Sequence, residues 1–224
     1  MRSILIPVYN FNCVTLVKEL HEQCKLAGIT FEIIILEDAS TQFLEPNSYL
    51  QQLGDFVKYD CLAQNIGRSS IRNLLAQKAQ YPYLLFMDCD SAVVKNDYIT
   101  SYTKVLNSRK LLYGGRVYKD VPPKQKTLSL HWKFGRKREQ SLAKSRATHP
   151  YHSFMTNNFV IPKAIFQQIK FDENLTQYGH EDTLFGMELK ARNIPILHLD
   201  NPLEHIGLEA VSYTHLTLPT KRIV

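Results

Sequence analysis

The feature that most constrains the fold is a short apolar run that ends in two carboxylates, at residues 81–90 (YPYLLFMDCD). The apolar residues 84–87 favour a strand buried on both faces, as in the middle of a parallel sheet. Asp88 and Asp90 would then lie at the carboxyl end of that strand, where open α/β sheets bind ligands. Two acids this close need a cationic partner or water. A divalent metal carrying a diphosphate would satisfy them, and so would a solvated turn, so the motif alone leaves both open.

Length and composition predict one soluble domain. The chain has 224 residues, 44% of them hydrophobic and 21% charged, as in ordinary globular proteins. It has no apolar run of membrane-spanning length and no signal-peptide pattern. We therefore expect a cytoplasmic protein, with peripheral contact at the inner face of the membrane left open. The net charge of +6 is modest and spread along the chain, which favours a nucleotide-sized anion and no nucleic acid. The four unpaired cysteines predict packed, reduced thiols.

The last residues, 211–224 (VSYTHLTLPTKRIV), break from the pattern before them. They have no helical or strand period. They match one reading frame of a transposon-end adapter used in library preparation. We expect a non-native tail, with a real but unusual C-terminus as the alternative, and base the fold prediction on residues 1–210.

Strands and helices alternate along the first part of the chain. Apolar runs predict strands at 3–8, 31–36, 57–61 and 84–87. Helical spacing predicts helices at 14–27, 44–53 and 69–79, the first with Asn12 as its N-cap. Such alternation implies parallel strands joined by right-handed crossovers, which is a nucleotide-binding α/β layer.

After Asp90 the pattern becomes less regular. We expect a helix at 97–106, a strand at 111–118 interrupted by Gly114 and Gly115, and a strand at 154–161. Helices at 163–169 and 181–192, a strand at 195–199 and a turn carrying Glu204 and His205 complete the prediction. The glycine pair indicates a bulge or a close backbone approach. The basic, poorly periodic segment 119–149 predicts either a solvated mobile loop or a lid that contacts an anionic acceptor or a membrane surface.

Five motifs in order resemble the family 2 glycosyltransferases of the GT-A fold. They are IPVYN at 6–10, EIIILEDAS at 32–40, QNIGRSSIRN at 64–73, FMDCD at 86–90 and YGHEDTLFGMELKARN at 178–193. The resemblance covers about residues 4–207. It implies a single α/β domain of GT-A type, with a mostly parallel nucleotide-binding sheet flanked by helices. The nucleotide-sugar part would span about 1–118 and the acceptor part about 119–210.

The resemblance implies a nucleotide site on the early strands. The base would lie on Pro7, Val8 and Tyr9. Uracil or ribose would be hydrogen-bonded by Glu37 or Asp38. Phosphate or a base carbonyl would pair with the side chains of the next motif, Asn65, Arg68 and Arg72. The family more often has two aspartates where this chain has Glu37 and Asp38, so which of the two makes the contact is open. For Arg72 the alternative is a salt bridge at the sheet edge.

The resemblance also implies a metal site for Mn²⁺ or Mg²⁺. Asp90 would be the direct ligand, and Asp88 would lie nearer the ribose or reach the metal through water. His205 would be a third ligand, with an ordinary surface histidine as the alternative. The metal would neutralise the leaving diphosphate.

The acidic pair Glu181 and Asp182 matches the family's catalytic base. Neighbouring helical residues point about 100° apart, so only one of the two can face the reacting centre. The family position favours Asp182 as the base. The alternative is that both acids complement the positive end of the helix dipole. His180, Asn157 and Asn158 are candidate acceptor contacts.

The function that this resemblance implies is an inverting, metal-dependent, hexosyltransferase-like transfer. The donor would be a nucleotide diphosphate sugar, of the uridine class, and the acceptor a hydroxyl of a saccharide or glycolipid in polysaccharide or glycoconjugate biosynthesis. A nucleotidyltransferase is disfavoured because IPVYNFN lacks the glycine-rich phosphate loop. A non-catalytic nucleotide-binding or scaffolding module is the other alternative.

Overall fold

The computed structural model describes residues 2–175 and 179–210, so the tail at 211–224 lies outside the described residues. Its strands and helices follow in the order β1 (Arg2–Val8), α1 (Val14–Leu26), β2 (Phe31–Glu37), α2 (Leu44–Ser48), β3 (Val57–Cys61), α3 (Gly67–Lys78), β4 (Tyr83–Met87), β5 (Ser91–Val93), α4 (Tyr98–Thr103), β6 (Leu111–Tyr113), β7 (Arg116–Val117), α5 (Ser129–Arg138), α6 (Ala143–Arg146), β8 (Asn158–Pro162), α7 (Lys163–Ile169), α8 (Glu181–Ala191), β9 (Ile196–His198) and β10 (Leu203–His205). Two 3₁₀ helices, Tyr49–Leu53 and Lys126–Leu128, precede β3 and α5. None of the described helices has the length and apolar character needed to cross a membrane.

A seven-stranded sheet of order β3-β2-β1-β4-β8-β6-β9 forms the centre of the fold. All of its strands are parallel except β8, which runs antiparallel to β4 and β6. The predicted α/β class with a mostly parallel sheet flanked by helices is confirmed. The strand predicted at 154–161 begins only at Asn158, so residues 154–157 precede the sheet.

The carboxyl ends of β1, β2 and β4 meet at one edge of this sheet. The register pairs Val8 with Glu37 and Leu5 with Phe86, which brings the turns after the three strands side by side. Asn10 links two of these turns, because its Oδ1 accepts from the backbone N–H of Thr41 at 2.7 Å. The edge predicted from the sequence is therefore built by neighbouring parallel strands.

Both faces of the sheet are buried, which explains why its first strands are continuously apolar. Ile4 and Ile6 of β1 pack in the cluster that contains the buried face of α1, whereas Leu5 packs on the opposite face. That second face is aromatic: the Phe171 and Phe185 rings stack with centroids 4.5 Å apart. Phe185 belongs to α8, so this aromatic cluster fixes the helix whose first residues are the predicted acidic pair.

The prediction of one strand at 111–118 is wrong, because the chain changes sheets at Gly114 and Gly115. β6 belongs to the large sheet and β7 to a three-stranded sheet of order β5-β10-β7. A Cβ on Gly114 would lie 2.3 Å from the backbone oxygen of Asn201, and Gly115 has a φ of +93°. Only glycine meets both demands, and the predicted close backbone approach is confirmed.

The expected turn at Glu204 and His205 is also wrong, since both residues belong to β10. This strand pairs antiparallel with β5, and the register places His205 opposite Ser91. His205 is thereby brought beside the segment that follows Asp90. A strand of three residues carries too little periodicity to be predicted.

Segment 119–149 was expected to be either a solvated mobile loop or a lid, and it contains two helices, α5 and α6, so it is not a loop throughout. Gly135 allows α5 to contact Tyr118, whose ring would lie 2.1 Å from any Cβ at that position. Arg146 is buried and donates to the backbone oxygen of Leu199 at 2.7 Å. Part of the basic sequence is therefore structural.

Two local expectations need correction. Asn12 accepts from the Val14 N–H at 3.1 Å, but the residue at the N-cap position of α1 is Cys13. The described cysteines are all free, yet Cys61 is exposed and so is not a packed thiol. Residue 61 lies at the end of β3, the edge strand of the large sheet.

Candidate functional site

Two cavities meet at the carboxyl edge of the large sheet. The larger has a volume of about 660 Å³ and the smaller about 230 Å³. Their shared wall consists of charged residues and one glycine, namely Arg68, Arg72, Asp88, Asp90, Glu181, Gly207 and Glu209. A group held at this wall can be reached from both cavities.

The larger cavity is lined by most of the residues predicted for the nucleotide. These are Pro7, Val8, Tyr9, Asp38, Asn65, Arg68, Arg72 and Asp88. Tyr9 is 58% exposed, so its ring is available to a ligand. Glu37 does not line the cavity: it is fully buried and accepts from Ser40 Oγ at 2.5 Å and Asn47 Nδ2 at 2.8 Å. Burial raises the pKa of Glu37, although these two hydrogen bonds oppose the shift.

Asp38 holds the loop that opens α3. Its carboxylate accepts from the backbone N–H groups of Ile66 at 2.7 Å and Gly67 at 3.0 Å, while Asn65 Nδ2 donates to its backbone oxygen at 3.0 Å. A carboxylate has about four acceptor sites, so Asp38 can still accept from a ligand. Glu37 is buried away from the cavity, whereas Asp38 borders it, so of the two acids only Asp38 is positioned to contact a ligand there.

Arginines satisfy the first carboxylate of the Asp88 and Asp90 pair. Asp88 Oδ1 lies 2.7 Å from Arg72 Nη2, and its Oδ2 lies 3.3 Å from Arg116 Nη2. Arg72 is 5% exposed and its guanidinium also lies 5.7 Å from the Phe171 ring centroid. The salt bridge at the sheet edge, which was the alternative for Arg72, is therefore present, and it is formed with a residue of the cavity wall.

Asp90 and His205 have unsatisfied polar atoms. His205 Nδ1 lies 3.4 Å from Asp90 Oδ2, yet both ring nitrogens and Asp90 Oδ1 are buried without a hydrogen-bond partner. Burial alone would raise the pKa of Asp90, but His205 and the charges of Arg116 and Arg68 bring it well below the ordinary value. A Cβ at Gly207 would lie 2.4 Å from Asp90 Oδ2, so glycine keeps this carboxylate accessible.

Buried oxygen and imidazole donors without partners suit a divalent cation. Among residues 2–175 and 179–210, however, no three His, Cys, Asp or Glu side chains are grouped as a metal site. The protein donors of this pair are thus two, which matches an ion that completes its shell with phosphate and water.

The two acids at the start of α8 have different bonding partners. Glu181 Oε1 lies 3.1 Å from Arg68 Nη1. Asp182 Oδ1 accepts from the Thr156 backbone N–H at 3.2 Å and from its hydroxyl at 2.5 Å. Burial and the neighbouring Glu181 raise the pKa of Asp182, whereas hydrogen bonds and arginines lower that of Glu181 against its own burial. Both acids line the smaller cavity, and their different partners agree with the prediction that they face apart.

The two asparagines at the start of the antiparallel strand β8 have different surroundings. Asn158 is fully buried, and its side chain bonds to the hydroxyls of Tyr98 and Tyr102 and to the backbone oxygens of Gly115 and Asn201. Its predicted acceptor contact is wrong, because these four bonds occupy the amide. Asn157 and His180 do line the smaller cavity.

Four charged or titratable residues of the smaller cavity were missed from the sequence: Arg116, His131, Glu139 and Glu209. Arg116 bridges Asp88 to Glu139, whose Oε2 lies 3.1 Å from Arg116 Nη1. Glu139 is one of only two acids in the basic segment, a signal that could have indicated it. His131 Nδ1 accepts from the Glu209 N–H at 3.0 Å, a contact across 78 residues that no local motif reveals.

Comparison with known families gives one match over most of the chain. The sequence model of glycosyl transferase family 2 matches residues 3–169. No curated protein matches the chain significantly.

Solved structures share the fold at low sequence identity. S. aureus TarS 1-349 superposes with a TM-score of 0.66 at 17% identity, covering 91% of this chain and 59% of that one. The same protein in complex with UDP-GlcNAc gives 0.65 at 18%, covering 94% and 60%. GalNAc-T7 with UDP, GalNAc and Mn²⁺ gives 0.62 at 18%, covering 93% and 44%. The chain thus spans about three fifths of the length of TarS 1-349.

Proposed function

The chain belongs to glycosyltransferase family 2, and from that premise we propose that it transfers a sugar from a uridine diphosphate sugar to an acceptor hydroxyl with inversion. The observation that carries the proposal is the charged wall shared by the two cavities. A donor in the larger cavity and an acceptor in the smaller one would meet at Asp88, Asp90 and Glu181. The structures of TarS in complex with UDP-GlcNAc and of GalNAc-T7 with UDP support the choice of a uridine donor.

The larger cavity supplies the groups that a nucleotide needs. Tyr9 offers an exposed ring for the base, and Asp38 offers free carboxylate acceptor sites for an imide N–H or a ribose hydroxyl. Arg68 and Arg72 supply guanidinium groups near the diphosphate. We assign Glu37 a supporting role, because its buried carboxylate fixes Ser40 and Asn47 below this turn.

Asp90 and His205 would hold a divalent cation, Mn²⁺ or Mg²⁺, and Asp88 would act near the ribose or through water. The buried unpartnered atoms of Asp90 and His205 are the observation that fits such an ion. When bound, it would neutralise the negative charge that develops on the leaving diphosphate. The complex of GalNAc-T7 with Mn²⁺ supports this assignment.

Asp182 would take the proton of the acceptor hydroxyl. Its raised pKa makes it a stronger base than an exposed aspartate, and Thr156 orients the carboxylate. The acceptor oxygen forms its bond to the sugar carbon as the bond to the diphosphate breaks, and the nucleotide diphosphate leaves. One displacement from the opposite face inverts the configuration. We propose a role for this transfer in polysaccharide or glycoconjugate biosynthesis.

The first test is a thermal-shift titration with UDP, GDP and TDP, each with Mn²⁺ and with a chelator. A nucleotide at 100 times its dissociation constant stabilises the folded state by about 2.7 kcal/mol, a shift of several degrees. We expect a shift with UDP that the chelator abolishes, followed by UDP release from a UDP-sugar. A cooperatively melting protein that responds to none of the nucleotides would overturn the proposal. Release of pyrophosphate from a nucleoside triphosphate and a sugar phosphate would instead identify a nucleotidyltransferase.

A further inference from the structure

The positive charge of the chain lies in one segment and is not spread along it as expected. Residues 119–149 hold nine Lys or Arg and two acids, Asp120 and Glu139, which is a net charge of +7. The whole chain carries +6, so all other residues together carry −1. A field this localised can direct the whole molecule towards an anionic partner.

Most of these cations are exposed and have no counter-charge. The seven exposed ones form what we call the basic face: Lys119, Lys124, Lys126, Lys133, Lys137, Arg138 and Lys144. Of the seven, only Lys119 has an ion pair within the described part of the chain, 3.8 Å from Glu204. Trp132 Nε1 donates to the backbone oxygen of Lys119 at 2.8 Å, which ties the start of the segment to α5.

Large apolar side chains are exposed among these cations. Val121 is 75% exposed, Leu130 40% and Leu142 69%. A soluble anionic polymer needs only the cations, whereas a lipid surface takes both the cations and the apolar side chains. The combination therefore favours an anionic bilayer over a polymer.

The helix α5 connects this face to the smaller cavity. His131 and Phe134 of α5 line the cavity, while Lys133 and Lys137 of the same helix are exposed. We propose that the basic face docks on an anionic lipid bilayer and holds the smaller cavity beside the lipid surface. The docking stands independently of the transfer reaction, and only its consequence, access to a lipid-anchored acceptor, rests on the proposed function.

The test is flotation of the full chain with vesicles of phosphatidylcholine, with and without one third phosphatidylglycerol, at low and high salt. Wild-type protein should float only with the anionic vesicles and less at high salt. A Lys or Arg near an anionic surface contributes about fivefold to the partition coefficient. Lys133→Glu with Lys137→Glu should therefore lower it about 25-fold or more. Lys18→Glu with Lys190→Glu, which changes the net charge equally on exposed residues outside the face, should leave most of the binding intact.

A second pair of variants separates lipid from polymer. Val121→Ser with Leu142→Ser should weaken flotation but leave binding to soluble polyphosphate unchanged. If Lys133→Glu with Lys137→Glu disturbs the thermal melt, Lys133→Gln with Lys137→Gln gives the same comparison. The proposal fails if wild-type protein does not float, or if the two Lys→Glu pairs weaken flotation equally. It also fails if the serine pair has no effect while polyphosphate binds tightly, which would identify a polymer surface. The UDP thermal shift is measured on the same variants, so a loss of lipid binding can be distinguished from a loss of nucleotide binding.

Discussion

The two sides of the candidate site are built in different ways. The larger cavity takes most of its residues from the ends of the neighbouring parallel strands β1, β2 and β4, from the turns after them and from α3. The smaller cavity combines residues from β7, α5, α8 and β10. An ion pair of Arg116 with Glu139 joins parts that line this cavity alone, and the pair of Arg68 with Glu181 lies in the shared wall. A cavity at the edge of a parallel sheet follows from strand order, whereas a cavity closed by such pairs depends on each contact.

The largest expected effect is a loss of turnover without a loss of nucleotide binding, which would distinguish the smaller cavity from the larger one. Asp182→Asn removes the proposed base while leaving the larger cavity intact, so UDP release from a UDP-sugar should fall about 10²- to 10⁴-fold. The UDP-dependent thermal shift should persist. Asp90→Asn should lose both, because it removes the negative charge of the proposed metal ligand from the shared wall. Asp55→Asn, at an exposed site, should lose neither. Full turnover in Asp182→Asn would refute the base assignment.

The second prediction concerns the buried hydrogen bonds of Asn158, next to the smaller-cavity residue Asn157. Asn158→Ala removes the side-chain hydrogen bonds to the hydroxyls of Tyr98 and Tyr102 and to the backbone oxygens of Gly115 and Asn201. Unsatisfied buried groups should lower the free energy of unfolding by about 3 kcal/mol, measured by urea denaturation. Asn157→Ala is the matched control and should cost less, since the contact of its amide with the Tyr113 hydroxyl is long, at 3.4 Å. Equal losses would argue against a structural role for Asn158.

The third prediction concerns the close contact between Gly135 of α5 and the Tyr118 ring. Gly→Ala normally stabilises a helix, but here the new Cβ would lie 2.1 Å from the Tyr118 ring. Gly135→Ala should therefore destabilise the protein by about 1–3 kcal/mol and leave the UDP response unchanged. In a Tyr118→Ala background the same change should cost less, because the clash is gone. If Gly135→Ala destabilises the Tyr118→Ala protein by the same amount, the Tyr118 ring is not the source of the strain.

The smallest effect is a displacement of the pH profile. A base acts when deprotonated, so turnover should fall as pH drops through the pKa of Asp182, which is raised above its ordinary 3.8 by burial and by Glu181. Glu181→Gln removes that neighbouring charge and should move the acidic limb to lower pH. The measurement is the rate of UDP release at saturating donor across the acidic range. A limb that moves upward in this variant would contradict the proposed coupling.

The sequence predicted the larger cavity better than the smaller one for a physical reason. Continuous apolar runs identify β1, β2 and β4, and the polar residues after them must share an edge. Helix α7 was also predicted at its observed bounds, Lys163–Ile169. Helix α5 was missed, because its contacts with Tyr118 and Lys119 come from outside its own sequence. The change of sheet at Gly114 likewise depends on distant partners, which local periodicity does not reveal. The proximity of His205 to Asp90 was expected only from the family resemblance, since no local pattern indicates it.

Arg72 and Asp88 of the shared wall begin a row of charges of alternating sign, which continues through Arg116 and Glu139 of the smaller cavity. With two cations and two anions, the row has no net charge. Removing any member leaves the row with a net charge, so we expect the effects of two substitutions in neighbouring members to be non-additive. A double-mutant cycle between Arg72 and Glu139 would measure a free-energy coupling between residues that share no contact within the row. A measurable coupling would mean that a substitution in one cavity changes the free energy contributed by charged residues of the other.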